Sequence, residues 1–267
     1  MNKIQESNML YWENRISRIT EKVHITQENK NSILLKEYKK ALNNLKLEVS
    51  SLYEKMSTNN ISLSEAYKYN KLDNLKKQLN KIIKDLGDNE QVFFDKNLKD
   101  NYKRTNIEIA KELSKEEFIK IDFNLIDKKA IEKAMTYPWS GADYSARIWR
   151  NKGKLVNCLS DTLTKGLVEG KTYNEMAKDI SEIMITSKDN ALRLIRTETS
   201  HIINSATIDR YKESEVVAKV QIWTAIDERR CSQCGFYHGK IYDFDKAPML
   251  PFHANCRCCI LPVIKIG

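Results

Sequence analysis

The chain is expected to be mainly α-helical with a small β-rich module at its C-terminal end, an α+β organisation. Three observations predict this. Apolar residues recur at alternating spacings of three and four through long stretches before residue 213. Only 8 Gly and 4 Pro punctuate 267 residues, which leaves room for long helices. After residue 215 the texture changes to short β-branched runs, and most of the cysteines gather there.

The elements follow in order. Leu35, Tyr38, Leu42, Leu45, Val49, Leu52 and Met56 form a heptad seam on a helix of about six turns. STNN at 57–60 interrupts it. Ser62 with Glu65 has the pattern of a capping box opening a second helix. Its stripe is Tyr69, Leu72, Leu75, Leu79, Ile82 and Leu86, and Gly87 is the expected stop. A short break between two such helices predicts an antiparallel hairpin. That hairpin is either a docking arm or an ordinary bundle core, and the plain core is the simpler reading.

Residues 88–125 are charged, carry scattered aromatics and show no clean period, which predicts a linker or loosely packed helices. Pro138 and Gly141 mark a turn. Ile148, Leu155, Leu159, Leu163 and Leu167 then predict a helix to about Gly170. Thr172 and Glu175 form a second capping-box pattern. A further helix is expected from about Lys188 to Lys212, and strands at 216–227, 239–244 and 258–266. The expected organisation is an N-terminal helical region at 1–124, a central helical region at 125–214, and a β-rich cysteine module at 215–267.

The formal net charge is +9, from 45 Lys and Arg against 36 Asp and Glu. That balance suits a polyanionic neighbour, yet the charges are interspersed along helical faces, as on a solvated surface. No apolar run approaches the roughly 18 residues of a membrane span. The start, MNKIQESNMLYWENRIS, lacks a signal-peptide core. The expectation is a protein first present in a reducing cytoplasm, where clustered cysteines bind metal more often than they form disulfides.

The cluster itself reads CSQCGFYHGKIYDFDKAPMLPFHANCRCC at 231–259. Cys231 and Cys234 form a CxxC knuckle, whose turn can aim backbone N–H groups at the sulfurs. His253, Cys256 and Cys258 supply a second set of donors. Two short ligand groups separated by a loop meet the tetrahedral demand of zinc. Four of these five residues are expected to hold a structural zinc: Cys231, Cys234 and Cys256 with either His253 or Cys258. Cys259 is expected to point into the core, and Cys158 reads as a small buried hydrophobe. A disulfide framework in an oxidising medium and a core of unligated thiols are the competing readings. A closed zinc site can supply on the order of 10 kcal/mol of folding free energy to a module with little core.

A second constellation lies on one helix. Glu198 and His201 are three apart and share a face, as do Arg193 and Arg196. Trp223, Asp227, Arg229 and Arg230 follow. As an enzyme this is an acid–base cluster beside the metal module, for instance a metal-dependent nuclease. The plainer reading is a buried Arg–Glu–Asp network joining helix to module. No glycine-rich phosphate loop, HExxH or nucleophile elbow is present.

PWSGADYSARIWRNKGKL, KGLVEGKTYNEMAKDIS, RLIRTETSHIINSA and the cysteine cluster with its PFHANCRC end occur in that order. The ordered set, over roughly 125–263, resembles the phage minor head proteins of the Mu protein F type, also labelled head morphogenesis proteins. The motif residues carried over are Arg196, Glu198, Trp223, Asp227, Cys231, Cys234, His253, Cys256 and Cys258. Ala254 departs from the pattern, since a proline commonly stands there. The resemblance implies a structural virion protein inside the capsid near the portal, present in the host cytoplasm during assembly. Its implied partners are the portal protein, other capsid proteins and packaged double-stranded DNA, and its implied roles are head assembly and DNA packaging or ejection. Some relatives carry toxin or ADP-ribosyltransferase domains after the shared module, and none is expected after Gly267. The alternatives are a nuclease or ADP-ribosyl transferase using Glu198 and the zinc module, and a zinc-ribbon adaptor binding nucleic acid.

Overall fold

The computed structural model describes residues 3–58, 71–115, 127–224 and 231–264. Six helices occur among them: α1 (Lys3–Thr58), α2 (Lys71–Leu113), α3 (Lys128–Thr136), α4 (Tyr144–Val168), α5 (Tyr173–Glu213) and α6 (Ser232–Tyr237). Three strands, β1 (Val217–Trp223), β2 (Ile241–Tyr242) and β3 (Cys259–Ile264), form an antiparallel sheet in the order β2-β1-β3. The mainly α architecture with a small C-terminal β-module is therefore as expected. β2 is shorter than the strand expected at 239–244, and β1 ends before Thr224. Residues 225–227 and 265–266 of the expected strands, and the proposed cap at Ser62 and Glu65 with Tyr69, lie outside the described residues.

The chain divides into two compact units. One comprises Met1–Lys30, Asp95–Tyr144 and Arg193–Gly267; the other comprises Asn31–Phe94 and Ser145–Leu192.

In the second unit, four helical segments each bury one stripe. The α1 seam runs through Leu34, Tyr38, Ala41, Leu45, Val49, Leu52 and Met56. Leu35 and Leu42, expected in the seam, lie beside it, and Leu35 is exposed. Tyr38 donates to Glu90 at 2.9 Å and Asn89 to Glu37, so α1 and α2 pack against each other here. Lys152 of α4 meets the same Glu90 at 2.6 Å, an ion pair with both side chains nearly inaccessible. Gly87 does not stop α2. A Cβ at this position would lie 2.8 Å from Cζ3 of Trp149, so its missing side chain admits the indole instead. Cys158, expected to be buried, is exposed, on the outer face of α4 next to inward Leu155 and Leu159. Thr172 and Glu175 do form the capping box, with Glu175 accepting from the Thr172 N–H at 2.8 Å.

The first unit contains the largest departures from expectation. Residues 95–113, expected to be a linker or loosely packed helices, are regular helix within α2 with a buried face. The buried face is Leu98, Asn101, Tyr102, Thr105, Asn106 and Ile109, at spacings of three and four. The period escapes a hydrophobicity reading because half of these positions are polar. Asn101 donates to Gln27 at 2.8 Å, and Tyr102 to Asp209. The helix expected from about Lys188 is the second half of one 41-residue helix, α5, since no Gly or Pro interrupts 173–213. Trp12, Ile16, Ile109, Leu113 and Tyr211 share one buried cluster with Val220, Ile222, Ile260 and Leu261 of the sheet. The β-module thus rests on a helical floor and does not depend on its own burial alone.

Candidate functional site

The first sulfur pair is built by a helix start. Cys231 is the N-cap of α6, and its Sγ accepts the Cys234 N–H at 3.3 Å. That backbone donor is the main cause holding the Cys231 thiol below its ordinary range. Cys234, three residues on, is turned inward and buried.

The second donor group is held by α5. Thr197, Asn204 and Tyr211 are spaced seven apart, so they recur on one helix face. Thr197 Oγ1 accepts the Asn255 N–H at 3.1 Å, Asn204 donates to the Cys258 carbonyl at 3.1 Å, and Tyr211 donates to the Ile260 carbonyl at 2.9 Å. Three polar side chains thereby clamp 255–260 along two turns' length per step. Asn255 adopts φ 61°, the left-handed region that Asn tolerates, and this bends the chain between His253 and Cys256. The heptad-spaced Thr, Asn and Tyr were not recognised from sequence; their spacing was the available signal.

The donors converge. Cys231, Cys234 and His253 place their ligand atoms within 4.8 Å of one another, and so do Cys234, Cys256 and Cys258. Cys234 belongs to both groups. Its Sγ is 3.1 Å from His253 Nε2 and 3.9 Å from Cys256 Sγ. Around a tetrahedral zinc with Zn–S of about 2.3 Å, neighbouring sulfurs stand about 3.8 Å apart, close to the Cys234–Cys256 separation, so the cluster is compatible with such an ion. His253 Nδ1 lies 2.8 Å from the Ala254 carbonyl. With Nδ1–H donating there, Nε2 keeps its lone pair toward the sulfurs, the tautomer a metal ligand requires. All six cysteines are free thiols.

The protons are unevenly held. Cys256 is lowered to about 5, chiefly because the Cys258 thiol donates to it. Cys258 is raised by the same contact, and Cys234 is pushed up to about 12, first by burial and then by Cys231. Burial acts to lower His253, but the Ala254 carbonyl and the nearby sulfurs raise it on balance. Cys259 is buried, as expected.

Of the second constellation, Arg196 lines a small cavity beside Cys256, while Glu198 and His201 are buried. Glu198 and His201 are 2% and 3% exposed. The Trp139 indole donates to Glu198 at 3.0 Å and stacks on the His201 ring with centroids 5.0 Å apart. Arg196 points elsewhere, gripping both carboxylate oxygens of Glu28, with Nε 2.9 Å from Oε2. Arg193 is exposed. Among the described residues, Glu198 thus meets an indole and Arg196 an ion-pair partner on α1. The Trp223 indole faces Glu13 at 3.4 Å, while Asp227, Arg229 and Arg230 lie outside the described residues.

The class that emerges is a helical body carrying a sulfur-and-imidazole donor cluster on a small sheet. Over residues 157–261 the chain is similar to the family described as Phage Mu protein F like protein, in agreement with the motif resemblance. That span begins in α4 and includes all five candidate ligands. The chain is 26% identical over 157 residues to the protein named NAD(+)--arginine ADP-ribosyltransferase EFV of Enterococcus faecalis, which covers 52% of this chain and 32% of that protein. It is 23% identical over 118 residues to an uncharacterized protein of Haemophilus influenzae, covering 42% and 26% respectively. The chain thus spans about a third or less of the length of these curated relatives. No solved structure matches with statistical support. No helix among the described residues is long and apolar enough to cross a membrane.

Proposed function

We propose that this chain is a structural minor head protein of a tailed phage, bound near the portal inside the capsid, where it aids head assembly and DNA packaging or ejection. The observation that carries this reading is the similarity of residues 157–261 to the Phage Mu protein F-like family. The buried setting of Glu198 agrees with it, because a general acid or base must reach a substrate and this carboxylate instead receives an indole N–H.

Within this role the C-terminal module is clamped by one structural zinc. Cys231, Cys234, His253 and Cys256 are its ligands, and Cys258 remains a thiol that donates to the Cys256 sulfur. The zinc supplies rigidity, and the chain's own residues prepare the donors: the α6 turn lowers Cys231, and Ala254 fixes the His253 tautomer.

The test is the composition of purified particles. The protein is expected in virions at a few copies and in a complex with portal protein from infected cells. Its absence from purified particles would overturn the reading. The relative named as an ADP-ribosyltransferase favours a second reading, in which Glu198 serves a transferase. Incubation with NAD+ and arginine-bearing acceptors separates the two. The head reading expects no transfer from the wild type; transfer abolished by Glu198→Gln in a folded chain would establish the enzyme.

A further inference from the structure

The first unit carries a groove of about 450 Å³ lined by α1, α2 and the turn that follows α2. Its walls bring Arg15, Arg18, Lys22, Arg104 and Lys115 against only two carboxylates, Glu108 and Glu112. Those carboxylates are already engaged. Glu112 takes Lys115 at 2.6 Å and Arg15 at 3.6 Å, and Glu108 takes Lys111 from outside the groove at 3.0 Å. Arg104 donates to the neutral Thr26 hydroxyl at 2.8 Å, and among the described residues no carboxylate forms an ion pair with it. Arg18 and Lys22 are exposed, and among the described residues no carboxylate pairs with either.

We propose that this groove is the docking surface for the phosphate backbone of double-stranded DNA. The inference rests on the head-protein reading, since that role brings the chain beside packaged duplex, and it names the face that touches it. Arg15, Arg18 and Lys22 stand at spacings of three and four on one side of α1, covering about 10 Å of helix axis. Duplex DNA presents roughly six charges over that length, one per 1.7 Å. An acidic protein surface is the less suitable occupant, because protein interfaces are depleted in lysine at their cores and anchored by buried aromatics. Nucleic-acid interfaces are instead strongly cationic. The groove offers long cations and only Ile19 and Val23 as apolar floor.

The experiment uses the full chain and a mixed-sequence DNA duplex of about 30 base pairs, with anisotropy read across a salt series. Arg18→Glu with Lys22→Glu is compared with Lys81→Glu with Lys84→Glu, an equal charge change on exposed residues of the second unit. The first pair is expected to weaken binding at least tenfold at low salt and to flatten the log–log salt slope by about two. The second pair is expected to leave the slope nearly unchanged. Equal loss in both pairs, no loss in the first, or no duplex binding by the wild type would each overturn the groove assignment. Particle incorporation is scored separately. A chain that is found in virions but binds no duplex ends the groove proposal and leaves the head reading standing. A chain absent from virions removes the reading on which the groove depends.

Discussion

The Sγ of Cys234 lies 3.1 Å from Nε2 of His253, on a loop nineteen positions further along the chain. This contact joins the α6 turn to the loop clamped by α5, and Cys234 is the member common to both donor groups. Protein purified under reducing conditions is therefore expected to hold about one zinc per chain. Cys234→Ser should abolish it, and His253→Ala should lower affinity far more than Cys258→Ser. Metal analysis with thiol counting decides between them; equal losses for His253→Ala and Cys258→Ser would reject the ligand assignment. Chelation should lower the thermal midpoint, but the module's shared core with Trp12 and Tyr211 should keep the helices folded.

Two glycines in the second unit should respond oppositely to alanine. At Gly87 an added Cβ meets Trp149 at 2.8 Å, so Gly87→Ala is expected to destabilise by about 1–3 kcal/mol through overpacking. At Gly153, inside α4, a Cβ meets nothing within 4 Å. Gly153→Ala should therefore stabilise by about 0.5–1 kcal/mol through helix propensity. Urea midpoints of the two variants test the pair, and a stabilising Gly87→Ala would refute the role assigned to that glycine.

Where burial and hydrophobicity coincide, as along Leu45, Val49, Leu52 and Met56, the sequence pattern sufficed to place a helix and its inward face. It did not resolve the helical face at 95–113 because Asn101, Thr105 and Asn106 occupy core positions, and Asn101 and Asn106 are satisfied there by Gln27 and Arg210, which are distant in sequence. Glycine position was similarly ambiguous: a C-cap and a close helix approach both call for Gly, and only the Trp149 contact tells them apart. At the site, the ligand types and the CxxC spacing were legible. The clamp by Thr197, Asn204 and Tyr211 was only half legible: their heptad spacing marks one face of α5, but their partners on 255–260 are backbone groups, which carry no sequence signature.

The Lys152–Glu90 pair tests how charge is tolerated in the second unit. Burial lowers Lys152 while Glu90 opposes that shift, and burial followed by Glu90 raises the Tyr38 hydroxyl well above its ordinary range. Lys152→Met alone would leave the Glu90 carboxylate buried without its cation. It is expected to cost about 3–5 kcal/mol, whereas Lys152→Met with Glu90→Leu should recover most of that loss. Denaturant titration of the single and double variants reads the coupling. Additive losses in the double variant would show that the two side chains do not act as a pair.

His24 gives the first unit an acid-sensitive point. It lines a small cavity with Gln27, Glu28, Arg196 and Arg257. Burial is the main cause lowering it to about 4, the Arg257 charge adds to this, and Glu28 opposes it. A histidine whose folded pKa lies below its unfolded value near 6.5 favours the folded state when neutral. Between these two values the unfolded chain binds more protons, so stability rises with pH across that window. His24 therefore contributes its full share above about pH 6.5 and loses it as pH falls through about 4, a change of up to about 3 kcal/mol. His24→Gln removes the titrating ring while keeping a polar side chain at the cavity. Thermal midpoints measured from pH 7 to pH 4 should fall more steeply for the wild type than for this variant, and parallel curves would show that His24 does not govern the acid limb.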